Sequence, residues 1–417
     1  MAKNRKTVFK HFSYLQCDDF AAYLSSMASK GWHFKEWGVG LVFEKSEPEQ
    51  AVYAVEVFIH GSQYDLKPDD HTMNFSDYCE AAGWKLIDSK QKYCIFKQIR
   101  PDAVPIVTPE ERLQNAAKAY RGQLIWQVVL SLLWICNLLL HILPTSRLID
   151  SLFSQINLMF ILIWASYFLF IAGKCIWFGL WMRKTRKRCI NGETKLLHQT
   201  KETFSTWFSI LMIATMTVGF ITAGESNILL VAFVTVALLL IVFILLAKFR
   251  PDRATNIGIQ VVLLFVMTTL IIIAVICIIA VSDKYHPSAE EFPLVYEDLT
   301  DTVGELEDTM HTSSSSIFGS THYYSLLYKN ASLSYEIYET EHDWILDLIW
   351  EHHLTLPRNA TPVDCTALWG MKSAYHNDVV DYYVRFDNAI LILRVYDDLV
   401  LTEKHVAIIR DALGFED

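Results

Sequence analysis

Apolar residues follow two regimes along this chain. Between Gln123 and Val281 they run almost unbroken in five stretches: Gln123–Leu143, Ile156–Trp181, Thr206–Thr222, Asn227–Ala247 and Ile257–Val281. About 20 helical residues cross a hydrocarbon core about 30 Å thick, so the pattern predicts five transmembrane α-helices. Before and after this region apolar positions recur instead at helix or strand spacing. In the N-terminal part, Phe20, Tyr23, Leu24 and Met27 make one helical stripe, with Asp18 or Asp19 placed to cap it. Gly31 then stops the helix, and Trp32, Phe34 and the pair Val42-Phe43 lie on strands either side of Gly38-Val39-Gly40. The same order returns with Asn74 as cap, Phe75, Tyr78, Cys79 and Ala82 as stripe, Gly83 as stop, then Trp84, Leu86 and Ile95-Phe96. Each copy follows an alternating segment, "KTVFKHF" or "AVYAVEVFI".

The predicted unit is strand, helix, strand, strand, used twice. One unit leaves apolar surface uncovered, and two together predict a six-stranded sheet with both helices on one side. Trp32 and Trp84 are then packing residues first and ligand-stacking residues second, while Gly31 and Gly83 supply the left-handed turn that places them. Gly38-x-Gly40 is no dinucleotide fingerprint, because it sits in a hairpin that no helix follows.

Beyond the apolar region the chain predicts an acidic segment, helical after Pro293, and a flexible joint at Thr312–Ser316. Paired strands follow in "THYYSLLYKN" and "SLSYEIYE", then a helix in "DWILDLIWEHH". A hairpin turning at Asp387-Asn388 joins "VVDYYVRF" to "AILILRVY", and Thr402 caps a last helix. The fold class is therefore a multi-domain membrane protein. A cytosolic α+β module (1–105) leads through a juxtamembrane linker (106–121) to a transmembrane region (122–282). An acidic helix with a Ser-rich joint (283–316) and an extracytoplasmic α+β domain (317–417) complete it.

Charge assigns the sides. Basic residues crowd "RKTRKRCINGETKLLHQTKE" and "KFRPDR", whereas "PTSRLIDSLFSQ" has Arg147 alone and "AGES" has none. Lys and Arg favour the cytoplasmic face, so the N-terminus is expected in the cytoplasm and the C-terminus outside the cell membrane. The segment from Ser282 onward holds 25 of the 46 acidic residues and 8 of the 36 basic ones, the balance of a solvated outer surface. No apolar signal-peptide core lies near the start. Cys365 is the single cysteine beyond residue 282, which leaves the outer domain without an intramolecular disulfide and suits a bacterial surface. The sequons at Asn330 and Asn359 would then carry nothing.

Candidate chemistry is thin. His342, His352, His353 and His376 with Asp343, Asp347 and Glu351 are the right ligand types for a metal, but the three carboxylates step by four along a helix and read as its wet face. Tyr323, Tyr324, Tyr328, Tyr335 and Tyr338 read as strand filling rather than a binding platform. Asn137, His141 and Gln260 are positioned to link helices, and Lys174 is the one charge inside an apolar run, a functional candidate that can also snorkel to the inner interface. No catalytic residue, cofactor or metal is expected.

The stretch "FKHFSYLQCDDFAAYLSSMASKGWHFKEWGVGLVFEKSEPEQAVYAVEVF", with Gly83-Trp84, resembles the bacterial domain of unknown function 2812, DUF2812. Its hallmark here runs from Tyr23 through Gly31-Trp32 to Phe43-Glu44-Lys45 and the Glu47-Pro48 turn. The resemblance implies a Firmicutes membrane protein, encoded near PadR-type regulators, in signalling or envelope stress; the family assigns no catalytic residues. The expected function is a non-enzymatic relay or tether between an outer sensing domain and a cytosolic protein-binding module. Its partners are the lipid bilayer and a cytosolic, regulatory protein, with no nucleic acid; transport or lipid handling is the alternative.

Overall fold

The computed structural model describes residues 4–193, 195–196, 203–222, 226–282, 288–300, 304–355, 362–376, 381–396 and 399–415. The sequon at Asn359, the expected strand start at Val379-Val380 and residues 223–225 of "AGES" fall outside them. The chain forms two compact units: Met1–Trp134 with Ser166–Ala214 and Ser226–Ala274, and Ile135–Ala165 with Thr215–Glu225 and Val275–Asp417.

The first unit opens with β1 (Arg5–Val8), α1 (Cys17–Ala28), β2 (Trp32–Trp37) and β3 (Leu41–Lys45), then β4 (Tyr53–Val57), α2 (Asp70–Ala81), β5 (Trp84–Lys90) and β6 (Tyr93–Gln98). The duplicated order is as expected, and the two copies share finer detail. Their strand orders are β1-β3-β2 and β4-β6-β5, all antiparallel. Both carry a register shift at the same place, between Phe34 and Glu36 and between Leu86 and Asp88. Gly31 (φ 78°) and Gly83 (φ 96°) are left-handed, and their carbonyls accept the N–H of Ser46 and Ile99, both at 2.9 Å. A Cβ on Gly31 would lie 2.7 Å from the Ser46 carbonyl, so only glycine fits.

The six-stranded sheet does not form: the strands make two separate three-stranded sheets. Nor do both helices share one side. Tyr53, Val55, Val57, Tyr93 and Ile95 face a core with Phe20, Leu24 and Met27 of α1 and Phe34, Leu41 and Phe43 of the first sheet. Cys94 and Phe96 face the other way, onto Cys79 and Phe75 of α2. Strand alternation thus gives the second sheet two buried faces, with one helix on each. The caps differ too. Gln16 precedes α1, leaving Asp18 and Asp19 in its first turn, and Asp69 caps α2 by accepting the Thr72 N–H at 2.9 Å, so Asn74 is interior and Tyr78 is exposed.

The apolar runs form α3 (Pro109–Ile142), α5 (Gln155–Ile190), α6 (Thr203–Thr222), α7 (Ser226–Phe249) and α8 (Arg253–Ser282), with a short α4 (Thr145–Leu152) between α3 and α5. By length and composition α3, α5 and the Arg253–Leu270 part of α8 can each cross a membrane; Trp207–Val218 and Phe233–Phe249 are shorter apolar stretches. The expected linker at 106–121 is largely helix. Thr108 accepts the Glu111 N–H at 3.2 Å, Pro109 takes the first helical position, and Leu113, Ala116, Ala117 and Tyr120 are buried in the core of the module.

In the second unit β7 (Leu306–Ser316), β8 (Gly319–Tyr328), β9 (Ser332–Glu339), α9 (Asp343–Thr355), β10 (Val363–Asp364), α10 (Thr366–Trp369), β11 (Ser373–His376), β12 (Asp381–Arg385), β13 (Ala389–Tyr396) and α11 (Glu403–Leu413) build one antiparallel sheet ordered β10-β11-β12-β13-β9-β8-β7. The Ser-rich joint is the far half of β7, paired from Leu306 opposite Tyr328 to Ser316 opposite Gly319. After Pro293 the described chain makes only a 3-10 turn, Tyr296–Asp298. It is strapped down by tyrosines: Tyr335 Oη donates to the Leu294 carbonyl at 3.1 Å, and Tyr328 Oη to Glu297 at 2.6 Å. β13 is apolar from Ala389 to Leu393 because both its faces are covered there. Leu391, Leu393 and Val395 meet α11 and the 292–299 segment. Ile390 and Ile392 meet α9 and, unexpectedly, Ile149, Leu152 and Phe153 of the α4 segment.

Candidate functional site

In the first unit three arginines join the duplicated module to helical segments, and each ends on a buried carboxylate. Arg112, one turn into α3, donates from Nε to Glu56 Oε2 at 3.1 Å, from Nη2 to Glu56 Oε1, and from Nη1 to Asp18 Oδ1 at 3.3 Å. Asp18 also accepts the Leu196 N–H at 2.8 Å. Burial opposes the charge on Arg112, but the bonds from Glu56 outweigh it and raise the guanidinium pKa above its ordinary value.

Arg250, in the turn between α7 and α8, has φ 44°, a conformation L side chains rarely adopt. Its guanidinium is bidentate on Asp88, with Nη2 to Oδ1 at 2.8 Å and Nη1 to Oδ2 at 3.0 Å, and it also donates to the carbonyls of Ser89 and Leu66. Asp88 is buried and accepts the Trp37 N–H at 2.6 Å, so one carboxylate ties together β2, β5 and the helical turn. The bulge in β5 aims it there. Arg253 is bidentate on buried Asp65 at 2.7 and 2.8 Å and reaches Asp69 at 2.6 Å. Buried Asn256 donates to the Tyr64 carbonyl at 2.6 Å. The α2 cap is therefore also a docking residue. The Thr72 bonds and Arg253 hold the Asp69 carboxyl below its usual range, against burial, which acts to raise it.

These are bidentate, charge-assisted bonds between planar groups, which fix position and orientation better than point charges do. They make no nucleophile. Burial raises the thiol pKa of Cys17 well above its usual value and that of Cys79 to about 12, so neither is a thiolate at neutral pH. Below the Arg112 clamp lies a cleft of about 350 Å³ lined by Asp18, Tyr53, Glu56, Trp84, Ile106 and Arg112.

Residues 16–130 match the family described as Protein of unknown function (DUF2812). That segment is similar to DUF2812. The match extends past β6 and well into α3, in keeping with the packing of the first turns of that helix in the core. No curated protein and no solved structure matches the chain.

The singled-out residues of the DUF2812-like domain fall in different places. Trp84 is buried, and its indole N–H donates to the Val104 carbonyl at 2.7 Å. Trp32 is half-buried at the edge of the other core, with Lys6 Nζ 5.7 Å from its ring centroid. The two tryptophans belong to separate cores, and Gly31 lies against Ser46 and Pro48 while Gly83 lies against Ala103 and Arg100. Lys174 on α5 donates to Gln127 Oε1 on α3 at 3.0 Å, a helix-to-helix bond that a scan for charges alone does not find. Gln260 bonds within its own helix, to Asn256 at 3.0 Å. In the second unit Tyr324 stacks between His311 and Tyr335, at 4.3 and 4.7 Å, whereas Tyr338 lies in the core on the other sheet face, so the five tyrosines are no single platform. Sequence reasoning passed over Asp65, Asp69, Asp88 and Glu56. The one local signal was the set of basic residues in "KFRPDR", which were read only as a mark of sidedness.

Proposed function

We propose that this is a non-enzymatic multi-pass membrane protein that relays or tethers. Five helices cross the bilayer of a bacterial cell, the DUF2812-like domain engages a regulatory protein in the cytoplasm, and the C-terminal α+β domain reports on the envelope outside. The observation that carries this reading is that α3 is gripped by folded structure near both ends of its sequence. Its first turns are packed in the DUF2812-like core and tied by Arg112 to Glu56, and two residues past its end the chain enters α4, whose apolar face belongs to the core of the C-terminal domain. An α-helix is stiff, so a change in how α4 docks has a covalent route to the Arg112 clamp. Relay requires that an outer ligand favour one of two states and that the inner partner distinguish them.

Ile149→Asp and Phe153→Asp would undock α4 while leaving the DUF2812-like domain intact. Capture of cytosolic proteins from native membranes by that domain, and expression of neighbouring genes under envelope stress, should both change. If both stay as in the parent and uptake or export of a solute is lost instead, transport through the helices replaces the relay.

A further inference from the structure

The seven-stranded sheet has two unlike edges. At one, β10 is two residues long, too short to recruit another strand. At the other, β7 runs for eleven residues, and Met310, His311, Thr312, Ser313 and Ser315 are exposed. Folded proteins guard such edges with lysine, proline, bulges or inward charges. β7 has a bulge between Leu306 and Asp308, and the Thr309 N–H donates to Asp308 Oδ1 at 2.8 Å, which blunts its first turn of pairing. Beyond Thr309 the strand carries no Lys, Arg, Pro, Asp or Glu up to Ser316. Strand alternation points the N–H groups of His311, Ser313 and Ser315 the same way as that of Thr309, outward from β8.

We infer that β7 is an interface for a second copy of this chain, the two strands pairing antiparallel about a two-fold axis at Thr312. The charge pattern selects that occupant and that direction. In this register Thr312 faces its own copy, His311 faces Ser313, and Asp308 faces Ser316, so the two acidic ends lie at opposite ends of the ladder. A parallel pairing would set Glu307 and Asp308 against their own copies. The facing Thr and Ser side chains are of a kind that hydrogen-bond across a strand pair. A closed two-fold uses both edges at once and leaves no free β7 to propagate.

The test is done on the full chain in native membranes, with the unsubstituted protein as baseline. Thr312→Cys should form a disulfide-linked dimer under mild oxidation, because residues directly opposite have Cβ atoms about 4.5–5.5 Å apart. Asp308→Cys should not, since its copy lies eight residues along the ladder, roughly 27 Å away. Equal linkage at the two positions, or none at Thr312, overturns the proposal. As a second measurement, two differently tagged copies are co-purified. Thr312→Lys in both copies should lose co-purification, and Thr312→Lys in one with Thr312→Asp in the other should regain it, which also shows that each variant folds. Undiminished co-purification of the double-lysine pair, or failure of the mixed pair to recover, excludes this interface; so does capture of a different protein's strand on β7.

Discussion

At the scale of single residues, the equivalent positions of the two repeats carry unequal loads. Trp84 is buried and hydrogen-bonded, so Trp84→Ala should cost about 3–5 kcal/mol. Trp32→Ala, at a half-buried site, should cost clearly less, and thermal unfolding of the detergent-solubilised chain separates the two. Asp88→Ala leaves Arg250 and the Trp37 N–H without their buried acceptor, a loss of about 3–5 kcal/mol. Pairing it with Arg250→Met should recover part of that, because an apolar pair removes the stranded charge. His311 gives a pH dependence. Burial first, and then the neighbouring His322, lowers its pKa, while Glu291 acts the other way; Tyr324 and Phe292 are the uncharged rings beside it. A histidine whose folded pKa is depressed contributes stability above its unfolded value, about 6.5, and that stability is lost as pH falls through the folded value. The melting temperature of the C-terminal domain should fall on acidification below that range, and His311→Asn should flatten the profile.

At the scale of elements, α3 decides where the module ends. A chain cut at residue 105 removes Leu113, Ala116, Ala117 and Tyr120 from the core and Arg112 from Glu56. A fragment ending near residue 121 should therefore melt cooperatively at a higher temperature than one ending at 105, and equal melting would show that these turns do not belong to the fold. α4 presents the same lesson in reverse. Its eight residues have an apolar face, and Ile149 and Leu152 on it, with Phe153 just past its end, pack with Tyr338, Ile345 and Ile390, although it stands between two membrane-length helices. In the sequence, a stretch with Arg147 alone between two apolar runs looks like a connection until its partner surface is known.

At the scale of the whole molecule, the proposed orientation has a direct readout. Cys17 is buried and cannot report sidedness, and burial raises the Cys365 thiol pKa to about 11, which makes it a slow target at neutral pH. Val400→Cys, at an exposed position outside β7, is the better outer reporter and half-buried Cys189 the inner one. An impermeant thiol reagent given to intact cells should label the first and spare the second. Labelling of Cys189 from outside would reverse the assignment, and with it the placing of the DUF2812-like domain in the cytoplasm.

The sequence by itself determined what local forces decide. Apolar run length marks the long helices, periodicity marks the duplicated strand-helix-strand-strand order, and Gly31 and Gly83 mark the left-handed turns, because each of these depends on residues a few positions apart. The β8–β9 and β12–β13 pairings were legible for the same reason, as alternation with turn residues between. Only tertiary structure decided that the repeats form two sheets, since the same alternating strands can add to one sheet or bury two faces. It alone decided that "TSSSS" is a strand, because an edge of serines gains its order from the ladder with β8 rather than from its own propensity. And it alone brought Asp88 to Arg250 and Asp65 to Arg253, pairs more than 160 residues apart whose attraction exists only once the chain has folded.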